Sequence, residues 1–154
     1  MWVRLALIAA ALAVGVLAGC DDDSDGGGTT VGTQAGFEIL GSWEGELTQM
    51  DLPPFRVTAT IGDLDDPAAN TVHYTGIDCG GNWTFRGEAD AGVQTGDATR
   101  VTPVYRFSEV IDRGAGGSCK GVGTVTLTPT GADTVTYEFR GGGVVSRGTL
   151  TRQG

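Results

Sequence analysis

Apolar residues recur at every second position through most of this chain, and that period constrains its fold more than any other feature. Phe55, Val57, Ala59 and Ile61 alternate with Arg56, Thr58 and Thr60, so one set faces a core and the other faces water. Val135, Tyr137 and Phe139 alternate in the same way with Thr134, Thr136, Glu138 and Arg140. Beyond residue 36, no window repeats apolar residues at three- and four-residue spacing for long enough to make a helix. The fold class is therefore all-β. Eight strands are expected, at about 43–50, 55–61, 71–77, 82–88, 101–111, 119–128, 134–140 and 144–152.

Turn signals separate them: Pro53-Pro54, Gly62 to Asn70, Cys79-Gly80-Gly81, Asp90 to Thr99, Gly114 to Gly117, Pro129 to Asp133 and Gly141 to Gly143. Short, even connections favour an antiparallel up-and-down order, and eight such strands can close into a small barrel that leaves no exposed edge. A two-sheet β-sandwich is the alternative. Gly45, Gly76, Gly87, Gly121, Gly123 and Gly148 fall inside the expected strands. Glycine weakens a strand unless a bulge, a bend or a close approach requires it, and the curvature of a small barrel supplies that reason. A glycine-lined ligand passage is the sharper alternative.

The first residues belong to a different economy of sequence. Arg4 gives a short positive start, and Leu5 to Leu17 form an apolar stretch that suits a signal peptide. It is shorter than the roughly 20 residues a membrane-spanning helix needs. Leu17-Ala18-Gly19-Cys20 resembles the lipobox of bacterial lipoproteins, which implies cleavage before Cys20 and a diacylglyceryl group and palmitate on that cysteine. Asp21-Asp22-Asp23-Ser24-Asp25 and three glycines follow, with nothing apolar to bury, as expected of a flexible tether. The chain thus divides into a signal peptide at 1–19, a lipidated cysteine with an acidic, glycine-rich tether at 20–36, and a single β domain at 37–154. Asp21 resembles the signal that retains enterobacterial lipoproteins in the inner membrane; either membrane stays open. The expected location is exported, held to a membrane of the cell envelope by lipid, facing the periplasm or the exterior.

Assigning Cys20 to lipid leaves Cys79 and Cys119 as a pair in an oxidising compartment, where a disulfide is the simple outcome. In an up-and-down order both fall in connections at the same end of the barrel, so the topology permits the bond. A zinc site or a catalytic thiol is the rival, but His73 is the lone histidine and the cysteine spacing is too wide for zinc. No metal or cofactor is expected.

The formal charge of −9 becomes −10 once Arg4 leaves with the signal peptide, which disfavours nucleic acid and anionic lipid headgroups as partners. His73 lies opposite in parity to Val72 and Tyr74, so it faces solvent, and no catalytic set surrounds it. Asp63, Asp65, Asp66 and Asn70 cluster without the spacing of a calcium loop. Glu109 shares parity with Tyr105 and Phe107, which points a carboxylate at the apolar side. Its bland reading is a salt bridge to Arg86, Arg140 or Arg147, or a bulge that turns it outward; its functional reading is the polar contact of an interior ligand site. Trp83 and Phe85 are expected in the core rather than on a ligand platform.

Gly41-Ser42-Trp43 resembles the Gly-x-Trp signature of lipocalins and their small-barrel relatives, although their Thr-Asp-Tyr motif is absent. The resemblance implies that Trp43 plugs one barrel end with Arg147 or Arg152 packed across it. A second resemblance runs through Tyr74, Cys79-Gly80-Gly81-Asn82-Trp83, Tyr105 to Glu109, Cys119, Gly123 to Leu127, Tyr137 and Gly148 to Arg152. It is to a small extracytoplasmic bacterial domain found in secreted or lipid-anchored proteins and on the outer ends of some membrane-spanning serine/threonine kinases. It implies a disulfide-bearing β domain used for sensing or binding. The functional expectation is a lipid-anchored binding or sensing module without catalytic activity, whose partner is an envelope protein or a small ligand. Alternatives are a lipocalin-like carrier of a small apolar ligand and a purely structural envelope lipoprotein. Trp43, Trp83, Tyr105, Phe107, Glu109, Arg147 and Arg152 are the candidates for a ligand site or barrel plug.

Overall fold

The computed structural model describes residues 32–33, 37–95, 98–114, 119 and 121–154. The expected signal peptide at 1–19 and the expected lipidation of Cys20 lie outside the described residues, as does most of the 20–36 segment. Within that segment Gly32–Thr33 makes a two-residue strand, β1, paired in parallel with Arg100 and Val101, where the sequence suggested only tether.

Eight antiparallel strands close into a barrel: β2 (Gly41–Gln49), β3 (Phe55–Ile61), β4 (Asn70–Thr75), β5 (Cys79–Thr95), β6 (Ala98–Gly114), β7 (Gly121–Pro129), β8 (Thr134–Gly141) and β9 (Val144–Gln153). Each strand pairs with its neighbour in sequence, and β2 closes the cylinder against β9 from Ser42↔Gln153 to Gln49↔Ser146. The order is the expected up-and-down barrel, and it excludes the sandwich. In β3 the strict alternation of buried and exposed residues is the sequence pattern made into two faces.

Cys79-Gly80-Gly81, expected as a turn, instead opens β5 and pairs with Tyr74, His73 and Val72 of β4, and two further stretches differ from expectation. Asp90 to Thr99, expected as a turn, continues the β5–β6 ladder out to Thr95↔Ala98, well past the last β4 partner at Asn82. Gly76, expected within a strand, sits instead in the β4–β5 turn with φ of +100°, next to Asp78 at +49°. Gly87 stays in its strand as a bulge: the register shifts between Phe85 and Gly87, and its φ is +126°.

The interior is filled by this chain's own side chains. Trp43, Leu47, Val57, Ile61, Trp83, Phe107, Val125, Leu127, Val135, Tyr137 and Leu150 are buried together, with Tyr105 close behind. Trp83 stacks on Tyr137 at 6.2 Å between centroids and leans on Phe107 at 5.5 Å. Gly123 is what lets Phe139 lie flat: a Cβ there would collide with the Phe139 ring.

Candidate functional site

Strand direction gives the barrel two unlike ends. At one end lie the lead-in at residues 37–40, the start of β2, the end of β9 and the β7–β8 turn. Here Trp43 donates its Nε1 to the Ile39 carbonyl at 2.9 Å, and Phe37 packs on both Trp43 and Tyr105. The Arg152 guanidinium lies 4.4 Å over the Trp43 ring and donates to the carbonyls of Leu40 and Glu38, with Asp133 at 3.3 Å. Of the two arginines considered for this place, Arg152 is the one that lies across Trp43. Arg147 has no part in it. Its neighbour Ser146 takes the inward position, so Arg147 points out and pairs with Glu138 at 2.8 Å.

The other end carries the turns after β2, β4, β6 and β8. Cys79 and Cys119 meet there in a disulfide with Cα atoms 5.2 Å apart, as the parity of their connections allowed. Met50, Leu52, Ile77 and Val144 stand exposed around this mouth. Beneath them a recess of about 50 Å³ leads down to Glu109. Its apolar walls are Phe55, Ile77, Ile111 and Phe139; its polar groups are Gln49, Tyr74, Tyr137 and Ser146, with Glu109 itself.

Glu109 faces inward because it keeps parity with Phe107, and register does the rest: it sits directly across from Trp83 on β5 and Gly123 on β7. Its Oε2 accepts from the Tyr74 hydroxyl at 2.5 Å and from Trp83 Nε1 at 2.6 Å. Tyr74 has spent its one proton on the carboxylate, so at the 3.0 Å contact between the two hydroxyls Tyr137 is the donor. Among the described residues, Glu109 Oε1 is the one buried side-chain polar atom without a hydrogen-bond partner. Burial pushes the Glu109 carboxyl above its ordinary range, with the bonds from Tyr74 and Trp83 pulling the other way. Burial likewise raises Tyr74 and Tyr137, so both phenols stay neutral.

The arginine expected beside Glu109 is not there. Arg86 donates to Ser108 Oγ on the outside, and Arg140 and Arg147 both hold Glu138. Glu138 is drawn below the usual carboxylate range by these arginines, Arg140 first. All three arginines alternate with inward residues and belong to the solvent face. Tyr74 and Ser146 complete the site although neither was singled out as a candidate. Parity with Val72 placed Tyr74 inward, but a hydroxyl group's partner depends on register, which alternation does not encode.

His73 is exposed and comes within 3.5 Å of Asp78, as its parity implied. The Asp63 to Asn70 cluster is a hydrogen-bonded loop: buried Asn70 accepts from the Gly62 and Asp63 amides, Asp63 accepts from the Asp65 amide, and Asp66 caps the short 3₁₀ turn Pro67–Ala69. Two wider grooves lie on the outer face, one near His73 and Arg113 and one beside Met50 and Val144, both lined mostly by exposed side chains.

Compared with protein-family models, with curated proteins and with solved structures, the chain matches none. Its chemistry is therefore read from the barrel itself. A buried acid with two neutral phenols and an indole can hold and orient a polar group.

Proposed function

We propose that this protein is a lipid-anchored binding module of the bacterial cell envelope, without catalytic activity, which engages its partner through the disulfide-bearing mouth. One observation carries the reading: among the described residues the interior is packed with buried side chains, several of them aromatic, and a small recess opens at the end away from the lead-in. Residues 37–40 enter at the plugged end, so a tether from Cys20 arrives there and the mouth points away from the membrane. Met50, Leu52, Ile77 and Val144, all exposed and all in or beside the turns at this end, offer a partner apolar contacts there.

The lipocalin-like carrier is the second reading, favoured by the barrel and its Trp43–Arg152 plug. Weighing against it, a recess of about 50 Å³ is far below the roughly 300 Å³ or more of a pocket for a whole small molecule. Native mass spectrometry of the protein extracted from membranes separates the two. A binding module carries its lipid modification and no apolar passenger; a retained fatty-acid-sized ligand would favour the carrier. In the same preparation Cys20→Ser should leave the membrane fraction and lose palmitate labelling. Unchanged labelling in that variant would show that the anchor has been misassigned.

A further inference from the structure

The unpartnered oxygen of Glu109 is the feature that the packing of the barrel does not account for. A buried carboxylate without a countercharge is costly, and a half-satisfied buried network is worse than an apolar one. The three residues that could have neutralised it by sequence all sit outside. Oε1 lacks a hydrogen-bond partner, and a donor that also carries positive charge would relieve both the open valence and the buried charge.

The polar valences around the recess agree on that sign. Tyr137 Oη has given its proton to Tyr74, and Ser146 Oγ gives its proton to Gln49 Oε1 at 2.7 Å, so each retains only lone pairs. The one donor left over among these residues is the amide of Gln49, which is half-buried. Phe55, Tyr74, Tyr137 and Phe139 supply rings, whose faces attract cations. Size narrows the choice further. About 50 Å³ exceeds the roughly 30 Å³ share of one water and falls far short of a complete ligand. A divalent metal would demand about six oxygens. Among the described residues no group of three or more acidic, cysteine or histidine side chains is placed to hold one.

We propose that this recess receives the head of a primary alkylammonium ion, with Glu109 Oε1 as its countercharge and Tyr137 and Ser146 as further acceptors. The inference rests on the binding-module reading and names the chemistry of its mouth. A neutral amine meeting a protonated Glu109 gives the same ion pair, because the proton moves from oxygen to nitrogen. The alkyl stem leaves past Phe55, Phe139 and Ile77 toward the apolar rim. The shared chemistry has two sources, a free small amine and a lysine side chain of an envelope protein.

The Trp83 indole N–H donates to the same carboxylate, so its NMR resonance reports on the site. The full-length exported protein would be titrated with methylammonium, n-butylammonium, tetramethylammonium and sodium chlorides at constant ionic strength. Saturable displacement of the Trp83 signal by both primary ammonium ions, and by neither control, is expected. Glu109→Gln should weaken binding by roughly tenfold or more, since it leaves the cation without its countercharge. Should that variant fail to fold, nuclear Overhauser contacts from labelled methylammonium to the Tyr137 and Phe139 rings of the wild type decide the matter. Tighter binding of n-butylammonium than of methylammonium would identify the lysine-like source, and equal binding the free amine; both support the site. A Trp83 signal that ignores both primary ions, or follows tetramethylammonium equally, overturns it. If that happened while an envelope protein still crosslinked at Ile77, the ammonium site would fall and the binding-module reading would stand.

Discussion

Glu109 couples the barrel's stability to pH, and the sign follows from its environment. Burial raises its folded-state pKa above the unfolded value, more than Tyr74 and Trp83 lower it. The folded protein therefore keeps this proton over a pH range where the unfolded chain has released it. The stability linked to Glu109 is fully present below the ordinary glutamate range and is lost as pH rises through the raised pKa. Glu109→Gln should flatten that loss. Urea unfolding between about pH 4 and about pH 8 measures this, and parallel pH profiles for the two proteins would contradict it. Alternation alone was enough to point Glu109 inward between Phe107 and Ile111. Its partners were harder to read, since arginine is the usual mate of a buried acid, and the sequence holds several. The parity of Arg140 beside Phe139 already excluded it, while the choice of Tyr74 and Trp83 needed the strand register.

At the level of elements, the two arginines of β9 differ only in which side of the strand they leave. Arg152 covers the Trp43 ring and ties down the lead-in carbonyls at the plugged end. Arg147 makes an exposed ion pair. Arg152→Ala should cost about 2–3 kcal/mol, combining a cation–ring contact with hydrogen bonds from a charged donor. Arg147→Ala should cost at most about 1 kcal/mol, as exposed pairs do. Denaturant midpoints of the two variants check this order; equal losses would mean that the plug contributes nothing special. Strand positions were legible to within a few residues because each strand carries its own alternation and turn chemistry. The long β5–β6 ribbon escaped because beyond Phe85 its β5 strand, Gly87 to Gly92, carries glycine, alanine and acidic residues with no large apolar alternation, while the ladder continues.

Across the whole molecule, the disulfide and the topology support one another. In an up-and-down barrel the connections after β4 and β6 share an end, and there the bond between Cys79 and Cys119 closes a loop spanning 40 residues that contains the β5–β6 ribbon. Cys119→Ala should lower stability by about 2–5 kcal/mol, mostly by freeing the unfolded chain, and reduction of the wild type should do the same. Calorimetry with and without reductant tests this, and an unchanged midpoint would count against it. The proposed function gives the two ends of the barrel separate tasks: Trp43 and Arg152 seal the end where the chain enters, and the recess over Glu109 opens at the other. A benzophenone side chain placed at Ile77, on the rim, or at Ala132, in the β7–β8 turn of the plugged end, tests that division in living cells. Photocrosslinking should yield an envelope adduct from Ile77 and none from Ala132. Adducts from Ala132 alone, or no adduct from Ile77, would contradict a protein that binds through its disulfide-bearing mouth.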